Sequence, residues 1–151
     1  MTARLISIGT VTPTGRMDQR AAAQMVAAIG SVRPSRARAM THLFEQSGID
    51  SRSMAIIEGE GQTFYNGVAR RTDERMRAYQ EIAPPLAHVA CERALASAHV
   101  HAGGITHLVT ASCTGLSSPG LDIALIRSLA LPTSTQRVNI GFMGCHAALN
   151  A

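Results

Sequence analysis

The alternation of apolar and polar positions divides the chain into an irregular front and a regular back. Arg4-Leu5-Ile6-Ser7-Ile8-Gly9 has the short apolar run of a first strand, closed by Gly9 and the turn Pro13-Thr14-Gly15. Ala21, Ala22, Met25, Val26 and Ile29 then recur at helical spacing, with Asp18 placed to cap the helix and Gly30 to end it. A second helix is expected from Pro34, preorganised for a first turn, to Gly48, suited to the left-handed position after a last one. Residues 51–67 are Gly-rich and polar around Met54-Ala55-Ile56-Ile57 and read as a loop with a short strand. Thr72 to Ile82 is helical in pattern. Pro84-Pro85 is expected to break it and to open another helix carrying Leu86, Val89, Ala90 and Leu95.

After a connection at His99–Gly104 the pattern becomes simpler. Ile105–Ala111 is apolar nearly throughout and reads as a buried strand, Pro119–Leu129 as a helix and Gln136–Ile140 as a second strand. Gly141–Gly144 is a tight turn into a last helix that begins near Cys145. That alternation predicts an α/β fold with a parallel element. The last helix meets neither a glycine stop nor a polar tail by Ala151, so the pattern reads as a helix interrupted within its course.

Composition narrows the function classes. The 151 residues are 46% hydrophobic and 16% charged, values of a globular chain, and one domain over 1–151 is expected. Every one of the 14 basic residues is Arg, and the net charge is +4. The Arg33/Arg36/Arg38 and Arg70/Arg71/Arg75/Arg77 groups read as solvated helix faces. No recognisable motif accompanies them, which argues against nucleic-acid binding. No apolar stretch reaches the length of a membrane span, so a cytoplasmic protein without membrane attachment is expected. Cys91, Cys113 and Cys145 form no CxxC pair, which disfavours a disulfide framework and a structural zinc site. His88 with Cys91, and His99 with His101, lack further ligands, so no metal is expected. Gly59-Glu60-Gly61 has no helix signature behind it and is not expected to bind phosphate.

Cys145 is the candidate nucleophile. A strand leading through Gly141 and Gly144 into a first helical turn would place its thiol among free amide groups, which favours an anion and a lowered thiol pKa. Burial would act in the opposite direction, and spacing alone fits a small packing residue equally well. His146 is not expected to be its base, because adjacent helical residues project about 100° apart.

The residues themselves are more specific. Ile105-Thr106-His107-Leu108-Val109 through Ser112-Cys113-Thr114-Gly115, Ser118-Pro119-Gly120-Leu121-Asp122, and Gln136-Arg137 followed by Gly141-Phe142-Met143-Gly144-Cys145-His146-Ala147 resemble the type III, chalcone/stilbene synthase-like polyketide synthases. Gly48-Ile49 with Arg52, and Arg75, Tyr79, Ala83 and Leu86-Ala87, fit the family more loosely. The resemblance covers the chain and corresponds to the N-terminal portion of a member. It implies a thiolase-like fold, here a mixed sheet with packed helices, and a homodimer. The implied activity is an acyltransferase that condenses malonyl-CoA onto an acyl-CoA starter by decarboxylative Claisen condensation, these being substrates and no cofactor being required. Cys145 would then accept the starter acyl group. Cys113 and Thr114 correspond to cavity-lining, substrate-binding positions, and Ser118 to the residue that reaches into the partner subunit's cavity. Cys113 stands where plant members carry Thr, which points to bacterial relatives. The family's His and Asn, which polarise thioester carbonyls, are placed beyond Ala151, so this portion alone is expected to be inactive in condensation. Ala39, His42 and Gln46 occupy the family's coenzyme A positions, with Arg36 and Arg38 nearby, and do not compose a clamp. A ketoacyl synthase III-like enzyme and a non-catalytic truncated remnant are the alternatives. The Phe-Met-Gly-Cys setting disfavours the first, which normally has an Ala-Cys setting.

Overall fold

The computed structural model describes residues 2–28, 33–55, 57–58, 62–65, 67–149 and 151. The chain divides into two compact units, Thr12–Glu74 on one side and Met1–Val11 with Arg75–Ala151 on the other. Gly30, expected to end the first helix, and Gly59-Glu60-Gly61 lie outside the described residues.

In the first of these units, β1 (Arg16–Asp18) pairs antiparallel with β2 (Ser51–Ser53), Met17 facing Arg52. Helix α1 (Gln19–Ala28) starts where expected, because the Asp18 carboxylate accepts the amides of Arg20 and Ala21 at 2.8 and 3.2 Å. Helix α2 (Pro34–Glu45) has its proline in the first turn, and Gly48 adopts φ +68 just past its end. Ala22 and Ala23, at 2% and 1% exposure, are the buried contact surface of α1. Buried Gln19 ties the unit together. Its amide nitrogen donates to the Phe44 carbonyl and to Ser47 Oγ, and its Oε1 accepts from Arg52 Nε at 2.9 Å. A hairpin of β3 (Ile57–Glu58) and β4 (Gln62–Thr63) follows, so the expected single short strand is a separate two-stranded element.

The other unit holds the C-terminal end of the longest element, α3 (Thr72–Ala98), which runs straight through Pro84 and Pro85. The expected break does not occur. Proline's fixed φ is itself helical, and the cost of its missing amides falls on the carbonyls of Gln80 and Glu81. Both of those residues are exposed, so water can serve their carbonyls. Residues 2–11 do not form the expected strand. They run along α3, held by Ser7 Oγ donating to the Ala94 carbonyl at 2.8 Å and by Arg93 donating to the Thr10 carbonyl at 2.6 Å. Gly9 approaches α3 so closely that a Cβ would lie 2.0 Å from the Ala90 carbonyl oxygen.

The parallel element is present. Strand β5 (His107–Ser112), helix α4 (Leu121–Ser128) and strand β6 (Gln136–Gly141) form one crossover, with β5 and β6 paired in parallel from His107↔Gln136 to Ser112↔Gly141. One sheet face packs under α4, where Leu125 is buried and Arg137 forms an ion pair with the largely buried Asp122. On that face Thr110 donates to Asn139 Oδ1 at 2.9 Å across the register. The opposite face departs from the expectation of a buried strand. Val109 and its partner Val138 are 42% and 55% exposed, because none of the described residues packs over them.

Candidate active site at the ends of two parallel strands

The candidate site forms at the C-terminal edge of β5 and β6, the edge at which open parallel sheets present their ligands. Beyond Ser112 the chain turns through Cys113 and Thr114, and Ser112 Oγ accepts the Gly115 amide at 3.1 Å to fix that turn. The turn then packs on α3. The Leu116 amide points at Met76 Sδ at 3.3 Å, and a Cβ on Gly115 would lie 2.1 Å from the Tyr79 ring. Only glycine admits the ring at that distance.

Beyond Gly141 the second strand turns more sharply. Phe142 and Gly144 both adopt positive φ, +57 and +71. For Phe142 that region costs about 1–3 kcal/mol and is characteristic of functional turns. Its amide donates to the Ser112 carbonyl at 3.3 Å, so the two strand ends are clamped together at the point where both chains leave the sheet.

These two adjacent turns carry Cys113 and Cys145, and both thiols are exposed. Desolvation, then the hydrogen bond to Cys145, then its charge push the Cys113 thiol above its ordinary pKa. Cys91 lies apart, half-buried on α3, and burial raises its thiol as well.

The expected α-helix at Cys145 is a 3-10 helix, Gly144–Leu149, with Ala147 buried and Cys145 and His146 exposed. Among the described residues Cys145 therefore lies in the first turn of a 3-10 helix rather than of the expected α-helix. What places Cys145 is the clamp between the strand ends.

The other predicted positions divide. Thr114 is exposed beside Cys113. Ser118, which forms a cis peptide bond with Pro119, instead lines an open cleft of about 250 Å³ together with Gln80, Pro84, Leu121 and Ala124. Neither cysteine of the pair borders that cleft. The sequence reading did not place Cys113 and Cys145 on neighbouring turns, although each lies within five residues after its predicted strand. Among the described residues no group of three His, Cys, Asp or Glu could hold a metal ion, and no helix is long and apolar enough to cross a membrane.

Comparison with known proteins bears on the whole chain. Residues 1–151 match the model of the chalcone and stilbene synthases, N-terminal domain. The chain is 36% identical over 146 residues to the alpha-pyrone synthesis polyketide synthase-like protein Pks18 of Mycobacterium tuberculosis, covering 95% of this chain and 37% of the relative. A solved structure of PKS-I from the brown alga Ectocarpus siliculosus superposes with a TM-score of 0.78 at 32% identity, over 95% of this chain and 40% of that one. The type III polyketide synthase domain of Steely1 from Dictyostelium gives a TM-score of 0.78 at 26% identity, over 97% and 40%. The chain thus spans well under half the length of these relatives, and its mixed α/β architecture is the N-terminal part of a thiolase-like fold. It belongs to the chalcone and stilbene synthases, the type III polyketide synthase family, and represents their N-terminal domain.

Proposed function

We propose that this domain carries the acyl-accepting half of a type III polyketide synthase reaction, with Cys145 as the nucleophile. The observation that supports it is the exposed Cys145 thiol on the clamped turn after β6, within a chain matched by the family over its whole length. In the reaction, Cys145 Sγ attacks the carbonyl of an acyl-CoA starter, the thioester bond to coenzyme A breaks, and coenzyme A leaves as its thiol with the proton from Cys145. Extension is decarboxylative condensation with malonyl-CoA, for which the family's His and Asn are needed. The complete enzyme acts as a homodimer. The substrates are acyl-CoA and malonyl-CoA, no further cofactor takes part, and the enzyme works in the cytoplasm. Cys113 and Thr114, on the facing turn, border the acyl group, and Ser118 acts from its separate cleft at the partner subunit's cavity. The polypeptide of 151 residues by itself therefore acylates without extending.

Incubation with a medium-chain acyl-CoA tests this, read by intact-protein mass. One acyl group is expected on the wild-type chain and none on Cys145→Ser, with no polyketide formed when malonyl-CoA is added. Equal acylation of Cys145→Ser, or polyketide from the 151-residue chain, refutes the proposal.

A further inference from the structure

Away from the two cysteine turns, helices α3 and α4 bring together three side chains that the acyl-CoA chemistry does not use. We infer that Ser128, His88 and Glu92 form a second nucleophilic site, in which His88 activates the Ser128 hydroxyl to take the acyl group of a small activated ester. This site shares no residue with the acyl-CoA reading, so each can fail without the other.

The geometry sets a nucleophile, a base and a carboxylate in series. Ser128 Oγ lies 3.0 Å from His88 Nδ1, and His88 Nε2 lies 3.3 Å from Glu92 Oε1. A carboxylate only accepts, so the ring hydrogen sits on Nε2, and Nδ1 of the neutral ring accepts the Ser128 hydroxyl. The ring is held from both sides, because Glu92 stands one turn further along α3 and Ser128 is the last residue of α4. The imidazole is 27% exposed and Ser128 is exposed, so the base is partly sheltered while the hydroxyl meets solvent. A short acyl chain also has a place to lie. Pro84 and Ala124, which border the cleft of about 250 Å³, stand four residues before His88 and Ser128 on the same faces of α3 and α4. The reactive pair therefore follows that cleft by one helical turn, about 5.4 Å. Pro84, Leu121 and Ala124 offer the chain an apolar wall.

In the reaction, Ser128 Oγ attacks the ester carbonyl carbon as its proton passes to His88 Nδ1. The tetrahedral adduct collapses, the bond to the leaving oxygen breaks, and the alcohol or phenol departs with the proton from Nδ1. Water then attacks the Ser128 ester, Nδ1 takes its proton and returns it to Oγ, and the acid is released. Overall one ester and one water give one acid and one alcohol. The substrate class follows from what adjoins Ser128. The amides of Leu129 and Ala130 donate to the Leu125 and Arg127 carbonyls, so neither is free to hold an oxyanion. Aryl esters, whose leaving groups depart without that help, are substrates, and amides are not.

The test is p-nitrophenyl butyrate on the 151-residue chain, with p-nitrophenolate followed by absorbance and the butyryl group located by peptide mapping after an acid quench. Acylation is read at residue 128 itself, so thioesters on the cysteines do not enter. Butyryl ester at Ser128 is expected in wild type and is absent in Ser128→Ala. His88→Gln keeps hydrogen-bonding groups but takes no proton, and should slow acylation of Ser128 by at least about tenfold. His88→Ala should be slowed alike and should regain rate when free imidazole is added, which a packing role would not produce. Glu92→Gln keeps an acceptor beside Nε2 without the charge. Because that carboxylate is 59% exposed and screened, the rate at saturating ester should fall only a few-fold with KM unchanged. Circular dichroism should show every variant folded. Butyrylation of Ser128 no faster than of the other serines, an unchanged rate in His88→Gln, or no recovery of His88→Ala by imidazole would each overturn the inference.

Discussion

Gly115→Ala probes the support of the candidate site without touching a reactive group. A Cβ there would lie 2.1, 2.3 and 2.4 Å from Cε2, Cδ2 and Cζ of Tyr79. Ordinary carbon contacts are about 3.5–4.0 Å, so the ring and the turn must separate by roughly 1.5 Å. Gly115 has an unstrained backbone for any residue, since its φ is not left-handed, and the whole effect is steric. Overpacking of this kind costs about 1–3 kcal/mol. For a chain of this length that lowers Tm by roughly 2–4 °C per kcal/mol. Removing the ring should remove the clash. Tyr79→Ala alone loses packing, but Gly115→Ala added to it should cost less than about 0.5 kcal/mol. The assay is a double-mutant cycle by urea unfolding, read by circular dichroism. An equal cost for Gly115→Ala in both backgrounds would refute the steric argument.

Three further outcomes follow from the geometry. Asp122→Ala leaves the Arg137 guanidinium without its partner and should cost about 1–3 kcal/mol in urea unfolding, whereas Asp122→Ala with Arg137→Met should recover part of it. The open sheet face predicts self-association: Val109→Lys with Val138→Glu, an opposed pair in the register, should reduce aggregation in light scattering while leaving the melting midpoint within a few degrees. Lastly, Cys113 has its pKa raised in the folded state, so it holds its proton to higher pH than in the unfolded chain. Its contribution to stability is complete below the unfolded thiol value of about 8.5 and is lost as pH rises through the folded value. Alkylation rates of Cys113 in the Cys91→Ser background should rise at higher pH than in urea, and Cys145→Ser should bring the midpoint down.

Local signals in the sequence carried over to the structure. Asp18, Pro34 and Gly48 act at helix ends through their own backbone geometry, which spacing alone reveals. The alternation of apolar and polar positions likewise identified the strand–helix–strand unit that precedes Cys145. Features that depended on neighbours were not legible. Whether Pro84-Pro85 ends a helix depends on what surrounds the Gln80 and Glu81 carbonyls, and both lie on an exposed surface. The apolar run at Leu5–Ile8 reads as a strand, yet a strand needs a ladder partner, and here the segment lies along α3 with Leu5 77% exposed. Strand β5 has an apolar residue on each face, Leu108 under α4 and Val109 opposite, but only the face under α4 is covered. The side-by-side placement of the Cys113 and Cys145 turns is the least local of all, because it arises from the register of two strands.

Cys145, rather than Cys91 or Cys113, is the residue proposed to take the acyl group. The most direct measurement is peptide mapping after a short incubation with acyl-CoA, quantifying thioester at Cys91, Cys113 and Cys145 together with coenzyme A released. Thioester on Cys145 in proportion to the coenzyme A released, with Cys91 and Cys113 unmodified, is the predicted result. Thioester confined to Cys113, or coenzyme A release unchanged in Cys145→Ser, would rule out Cys145 as the nucleophile.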